Sequence, residues 1–180
     1  LEISRLLSDT SNLKTDFAAT LETLGRHHGL LRSFVMLLDS EREKIRIEAS
    51  YGLNQDSAHH VTYRVGEGVI GRVVQSGKPV VVPQTSREPL LLNRLRSHEE
   101  YTTRKEVSFI CVPIVIGGKA VGVLGADRVY KEERDFDRTT KFLGVVAAMM
   151  AQALKVRQGI EADKKRLLDE NIHLKQELRE

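Results

Sequence analysis

A glycine-rich turn between two short apolar segments constrains the fold of this sequence more than any other feature. Residues 64–82 read as the end of a strand, a turn at residues 66–68, a short helix, a second turn at residues 77–79 and another strand. The helix has room only for about residues 69–75, because Gly77 and Pro79 end it. The stretch therefore predicts a strand, a helix and a strand packed into one short segment.

The same glycines permit a second interpretation, a phosphate-binding loop. Gly66, Gly68 and Gly71 match the pattern G-x-G-x-x-G between a strand and a helix, whose backbone amides can cradle a pyrophosphate. A dinucleotide-binding unit needs roughly thirty residues, a full crossover helix and an acidic residue after its second strand. The segment has neither the length nor the acidic residue after positions 80–82. We therefore expect the glycines to supply unusual backbone angles and to let the helix lie close to a sheet.

Composition narrows the class of protein. The 180 residues, 41% of them hydrophobic, suffice for one domain with one core and an appendage. The 28 basic and 25 acidic residues are scattered, which favours neither nucleic-acid binding nor membrane binding. A single cysteine, Cys111, excludes an internal disulfide framework, and no signal-peptide pattern is seen, so the cytoplasm is the expected location. Because the chain starts at Leu1 and stops at Glu180 in mid-pattern, we expect a fragment of a longer protein.

Apolar periodicity predicts the elements on either side of the glycine turn. An amphipathic helix is expected from Ile3 to Leu24, and His27 and His28 at its end suit a helix C-terminus better than a metal site. Pro113 fits an edge or a bulge within its strand, because it lacks an N–H. A final helix is expected to open near Phe136, capped by an aspartate at 135 or 137. Strands are predicted at residues 34–38, 44–49, 61–65, 80–82, 107–116 and 119–127.

A long polar connection between Val82 and Ser108 is the least regular part of the sequence. It contains the leucines 90–92, for which one or two helical turns at residues 90–97 are predicted. Connections of this length are often functional lids. Its arginines 87, 94, 96 and 104 suit either an acidic ligand or partner or a solvated loop, and the sequence leaves both interpretations open.

The last helix carries a heptad pattern. The first half is apolar on more than one face and should pack on the sheet, whereas from about Gln158 only the stripe stays apolar among charged residues. Leucine at d positions with a polar Asn171 at an a position predicts a parallel two-stranded coiled coil, the alternatives being a solvated helix or a seam against another domain. The predicted dimer contacts are Ile160, Leu167, Asn171, Leu174 and Leu178.

Common catalytic signatures are absent from the sequence. No G-x-x-x-x-G-K-[ST], H-E-x-x-H, C-x-x-C or G-x-S-x-G motif occurs, so no catalytic residue is predicted. Cys111 lies among apolar residues and is expected to be a small buried side chain. Asp127 follows an apolar strand and is expected to contact a ligand or cap a turn.

Taken together, the order of elements resembles a GAF domain over most of residues 2–158. The resemblance rests on the turn 66–71 with its short helix, Val-Pro-Ile at 112–114, Gly-Val-Leu-Gly at 122–125 and the long closing helix. The motif at residues 64–71 and the segment 141–147, followed by a charged helix, resemble the N-terminal regulatory region of NifA and related sigma-54-dependent activators. The resemblance implies an α+β fold: about six strands in a mostly antiparallel sheet, with helices packed on one face and a ligand pocket or regulatory surface on the other.

The resemblance also implies candidate ligand contacts. The nitric-oxide-sensing relatives use an iron site with a cysteine, where this sequence has Phe109, and the motifs of cyclic-nucleotide phosphodiesterases and bilin-binding domains are not found. No metal or haem is therefore expected. A small effector such as 2-oxoglutarate, or a regulatory partner protein, stays open. The candidate ligand contacts are Arg64, Gly66, Glu67, Gly68, Val69, Ile70, Arg72, Phe109, Cys111 and Asp127.

The sequence thus predicts a sensory domain at residues 1–157 and a coiled-coil linker helix at residues 158–180. The resemblance implies a non-enzymatic module that controls a downstream AAA+ ATPase, and the heptad stripe predicts that this module is a homodimer. Two other hypotheses stay open: the sensor of a histidine kinase or cyclase, or another small-molecule-binding GAF module. A methionine sulfoxide reductase on the same fold needs several redox cysteines, and Cys111 has no resolving partner.

Overall fold

The central feature of the structure, a computed structural model that describes residue 3 and residues 12–87, 106–132 and 134–179, is one antiparallel sheet. Its strand order is β3-β2-β1-β6-β5-β4. Strands close in sequence form hairpins, and β1 pairs with β6 across the middle. The strands are β1 (Arg32–Leu38), β2 (Lys44–Tyr51), β3 (Thr62–Arg64), β4 (Val80–Val82), β5 (Val107–Ile116) and β6 (Lys119–Val129). This confirms the predicted α+β class and the sheet of about six strands.

Helices begin and end where the sequence supplies capping residues. The side chain of Asn12 accepts a hydrogen bond from the Thr15 amide at 3.3 Å, and Gly29 ends the first helix in the left-handed conformation. The last helix opens at Phe136 as predicted, but Phe136 itself is the N-cap residue and no side chain makes a capping hydrogen bond, so the predicted aspartate cap is wrong. Asp135 Oδ1 accepts a hydrogen bond from the Asp137 amide at 2.9 Å, just before the helix. The helices are α1 (Leu13–His28), α2 (Gln55–Ala58), α3 (Gly68–Ser76) and α4 (Asp137–Glu177), with a 3-10 turn at Thr85–Arg87. The predicted start of the first helix and the predicted turn at 90–97 lie largely outside the described residues.

The two long helices cover one face of the sheet. From α1, Phe17, Leu21 and Leu24 are fully buried, and from α4 Leu143 and Met150 meet them in the same core. Burying one such side chain stabilises the fold by about 1.5–3 kcal/mol. The predicted layer of helices on one face is confirmed.

The opposite face carries a second core built around α3. Val69, Ile70 and Val73 of α3 pack with Phe34 and Phe109 of the sheet. Gly71 lets the helix lie against the preceding turn, because a Cβ at this position would overlap the carbonyl oxygen of Arg64. The expectation that the glycines serve close packing agrees with this geometry.

Pro113 lies in a part of β5 that no longer pairs with β4. β4 pairs with β5 only from Phe109 to Cys111, and the register against β6 shifts between Ile114 and Val115. A residue without an N–H is tolerated at such a place. The prediction of an edge or bulge position for Pro113 is confirmed.

The helix α4 is much longer than the domain it leaves. Its 41 residues give a length of about 60 Å. The buried positions end at Ala153, and every described residue from Gln158 to Arg179 is exposed. The helix therefore continues without a break across the predicted domain boundary at residue 157.

Replacing Gly71 by alanine should destabilise the fold by about 1–3 kcal/mol, because the new Cβ meets backbone that cannot move without disturbing the turn. The matched control is Gly144→Ala in α4, where a Cβ meets nothing within 4 Å and helix propensity improves by up to about 1 kcal/mol. Chemical denaturation of both variants measures the difference. Equal stabilities of the two variants would contradict the packing described for Gly71.

Candidate functional site

The glycine turn is closed by its own hydrogen bonds. Gly66 and Gly68 adopt positive φ angles of 86° and 63°, which favour glycine. The Gly66 amide donates to the Gly71 carbonyl at 2.8 Å, and the Gly71 amide donates to the Glu67 carbonyl at 2.9 Å. The Glu67 amide in turn donates to the Arg64 carbonyl at 3.0 Å. These amides are committed within the turn, so they do not form an open cradle for a phosphate.

Glu67 reinforces this arrangement electrostatically. Its Oε2 accepts a hydrogen bond from the Arg64 amide at 2.8 Å, immediately before α3 begins. A carboxylate at the start of a helix is favourable for the helix. The same charge repels a phosphate, so the geometry agrees with the rejection of the dinucleotide-binding interpretation.

Four of the predicted ligand contacts meet in the core beside α3. Val69 and Ile70 come from the helix, and Phe109 and Cys111 come from β5. The ring of Phe109 stacks on that of Phe34, with centroids 6.0 Å apart. All four are buried, so they can supply only an apolar wall, and Phe34 belongs to that wall although the sequence analysis did not select it.

Asp127 forms an ion pair that the sequence analysis missed. Its Oδ2 lies 2.7 Å from an Arg32 guanidinium nitrogen, and the two side chains are only 13% and 14% exposed. In the sheet, Asp127 is the register partner of Arg32 on one side and of Phe109 on the other. Val123 faces the α3 side, and alternate residues share a face, so Asp127 faces that side too. The sequence did offer a signal for Arg32, because it is a charged residue at the start of an otherwise apolar strand.

The strand that carries Asp127 is longer than predicted. β6 runs to Val129, so Asp127 lies within the strand and not after its end. Among the contacts described for the Asp127 carboxylate is an ion pair with Arg32 on the neighbouring strand, and none of them is a hydrogen bond from a turn amide. Its role as a ligand contact stays a prediction.

The remaining predicted contacts lie at the surface. Arg64 and Arg72 are exposed, and Gly66, Glu67 and Gly68 are half-buried in the turn between them. The structure therefore places an apolar wall, a glycine turn and a largely buried ion pair on the α3 side of the sheet. The arginines 94, 96 and 104 lie outside the described residues.

Cys111 has the environment of a structural thiol. It is fully buried, and burial raises the pKa of the Cys111 thiol well above its ordinary value. Neither nucleophilic chemistry nor metal binding is favoured there, since both use the thiolate. Within residues 12–87, 106–132 and 134–179, no group of three or more His, Cys, Asp or Glu side chains is placed to hold a metal ion.

The predicted dimer contacts on α4 are all exposed. Ile160, Leu167, Asn171, Leu174 and Leu178 have no cover from the rest of the described chain. Leu168 and Ile172 are equally exposed and lie outside the heptad stripe. None of the helices that the structure describes is both long and apolar enough to cross a bilayer.

Comparison with known proteins identifies the family of this architecture. The model of the GAF domain family matches residues 12–154. The nitrogen fixation protein VnfA of Azotobacter vinelandii is 32% identical over 92% of this chain and 33% of its own length. The Nif-specific regulatory protein of Azospirillum brasilense is 31% identical over 99% of this chain and 28% of its own. The chain thus spans about a third of the length of these relatives.

A solved structure shows the same fold. The A. aeolicus nlh2 GAF domain, crystallised in an inactive state, superposes with a TM-score of 0.76. The match covers 87% of this chain and 93% of that structure, at 23% sequence identity. It supports the fold described above.

The thiol of Cys111 should resist alkylation in the folded protein. Because it is fully buried and its thiolate is disfavoured, reaction at pH 8 requires local opening, and we expect it to be at least about a hundredfold slower than in urea. Mass spectrometry of the iodoacetamide adduct over time measures both rates, the unfolded chain serving as control. Comparable rates in the two states would show that the pocket wall at Cys111 is open.

Proposed function

The chain belongs to the GAF domain family, and from that premise we propose that it is the regulatory domain of a NifA-like sigma-54-dependent transcriptional activator. The supporting observation is that relatives named for nitrogen fixation and its regulation align with 92% and 99% of the chain. The second alignment extends beyond the folded domain into the exposed half of α4. In this role the chain senses a signal, performs no catalysis, and acts in the cytoplasm on a downstream AAA+ ATPase.

The proposed signal site is the α3 side of the sheet. The wall formed by Phe109, Ile70 and their neighbours is apolar, and the Arg32–Asp127 pair supplies polar groups at one edge. Binding sites of small molecules commonly combine an apolar wall with few polar groups. The occupant is a small effector, with 2-oxoglutarate as one candidate, or a regulatory partner protein.

The proposed dimer forms through the exposed half of α4. Ile160, Leu167 and Leu174 follow one another at heptad spacing, and nothing in the described chain covers them. A second copy presenting the same stripe buries all three, and Asn171 at an a position favours a parallel pair. This matches the symmetric contact expected of homodimers.

The same helix can carry the signal out of the domain. Leu143, Val146 and Met150 of α4 are buried against the sheet, and Ile160 and Leu167 continue the same helical stripe. A ligand that favours one position of the buried half therefore favours one arrangement of the paired half. The downstream ATPase would respond to that arrangement.

A second role, as the sensor of a histidine kinase or cyclase, uses the same fold and dimer. The two roles would require different output domains in the full-length protein. A Walker phosphate-binding loop in the output domain supports the activator, and a phosphoacceptor histidine on a helix supports the kinase.

The activator role predicts a transcriptional effect in vivo. A sigma-54-dependent reporter should be transcribed only when both sigma-54 and the gene that encodes this chain are intact, because the proposed output is open-complex formation. Deletion of each gene, with measurement of reporter activity, tests this. A reporter that does not respond to loss of the gene would rule out the activator role while leaving the sensor fold in place.

The dimer predicts a contrast between two adjacent leucines. Leu167→Glu places a charge in the heptad stripe and should convert the dimer to a monomer at micromolar concentration. Leu168→Glu is the matched control, since its side chain is 55% exposed against 59% for Leu167 but lies off the stripe. Sedimentation equilibrium measures both masses. A monomeric wild-type chain, or the same mass for both variants, would contradict the proposed seam.

A further inference from the structure

A basic cleft lies on the helix side of the sheet, away from the α3 side. It is formed where α1 ends, β6 ends and α4 begins, and its volume is about 630 Å³. Side chains from all three elements line it: His27, His28, Leu30, Arg128, Arg138 and Phe142. Arg128 follows Asp127 directly in β6, and successive strand residues face opposite sides, so this cleft is separate from the proposed signal site.

The arginines of the cleft have no anionic partner in the described part of the chain. Arg128 Nη1 donates to Thr139 Oγ1 at 2.8 Å, which is a neutral acceptor. Of the described carboxylates near the start of α4, Asp135 accepts a hydrogen bond from the Asp137 amide, and Asp137 pairs with Lys141 at 2.8 Å. Among the described residues, no carboxylate pairs with either of the two guanidinium groups that line the cleft.

A third arginine increases the local positive charge. In the described part of the chain, Arg134 Nε is buried without a hydrogen-bond acceptor, and its Nη2 donates to the Val129 carbonyl at 3.5 Å. The pKa of Arg128 is lowered, first by burial and then by repulsion from Arg134. Arg134 does not line the cleft itself, but its charge acts on Arg128, so an anion that pairs with Arg128 in the cleft would offset the repulsion between the two guanidinium groups.

The rest of the cleft is suited to an organic molecule. The His28 and Phe142 rings lie 4.5 Å apart at an angle of 35° and, with Leu30, give the cleft an apolar side. The volume falls within the range of small-molecule sites. A guanidinium group can donate two parallel hydrogen bonds to the oxygens of one phosphate or carboxylate group. An inorganic ion would occupy the arginine side alone.

We propose that this cleft binds a small organic anion, whose phosphate or carboxylate group pairs with Arg128 and Arg138 and whose apolar part lies against Phe142 and Leu30. The ligand joins the segment that follows α1 to the end of β6 and the first turns of α4, which lie about a hundred residues later in the sequence. It thereby stabilises the attachment of α4 to the domain. The proposal depends on the fold and not on the role in transcription.

Thermal unfolding with two probes tests the site. Phenyl phosphate represents phosphate monoesters and phthalate represents dicarboxylates, each measured against sodium chloride at equal ionic strength. At a hundred times its dissociation constant, the preferred probe should raise the Tm by about 5–10 °C. The probe with the larger effect identifies the acidic group, and amide NMR shifts at residues 27–30, 128 and 138–142 locate it.

Charge variants distinguish this cleft from general binding of anions. Arg128→Gln and Arg138→Glu should abolish the Tm gain. The double variant Lys78→Gln with Lys119→Gln should retain it, because both lysines are exposed and neither lines the cleft. If Arg128→Gln fails to fold, Arg138→Glu decides, because this side chain is exposed and an acidic residue suits the first turn of a helix. No gain beyond sodium chloride with either probe, or an equal gain in wild type and Arg138→Glu, would overturn the proposal.

Discussion

The pairing of β1 with β6 is the interaction on which the rest of the structure depends. These strands come from opposite halves of the chain, and Arg32 to Leu37 run alongside Gly122 to Asp127 in the middle of the sheet. A register shift of one residue would move every side chain of a strand to the other face. Such a shift would also separate Arg32 from Asp127 and leave two largely buried charges without each other. Because unpaired buried charges are costly, the ion pair disfavours the shifted registers.

Local sequence patterns were sufficient for most of the elements, but they could not bring distant residues together. The glycine turn at residues 66–68 was predictable because positive φ angles and the short distance to Gly77 leave few alternatives. The exposed apolar stripe of α4 was predictable because its heptad spacing lies within one helix, whereas its pairing with a second copy stays a prediction. By contrast, the Arg32–Asp127 pair depends on strand order, and no local pattern indicates which strand lies beside β1.

The candidate sites show the same division. Residues of the α3 side were selected from the family resemblance, and the structure does gather Val69, Ile70, Phe109 and Cys111, but as buried wall. His27 and His28 were interpreted as a basic helix end, which is locally correct. Their meeting with Arg128 and Arg138 in one cleft follows from the packing of α1 beside α4, which no periodicity reveals.

The placement of the two faces gives them unequal access to α4. The cleft includes Arg138 and Phe142 of α4 itself, so a ligand there touches the helix directly. Within the described residues, a ligand on the α3 side acts on α4 through the sheet, since α4 packs on β5 and β6. The side chains of Asp127 and Arg128 point to opposite faces of β6, so a small displacement of this strand would move groups both on the α3 side and in the cleft. Since coupling between two sites is reciprocal, an anion that fixes α4 in the cleft must change the affinity of the α3 side for its ligand whenever that ligand displaces β6.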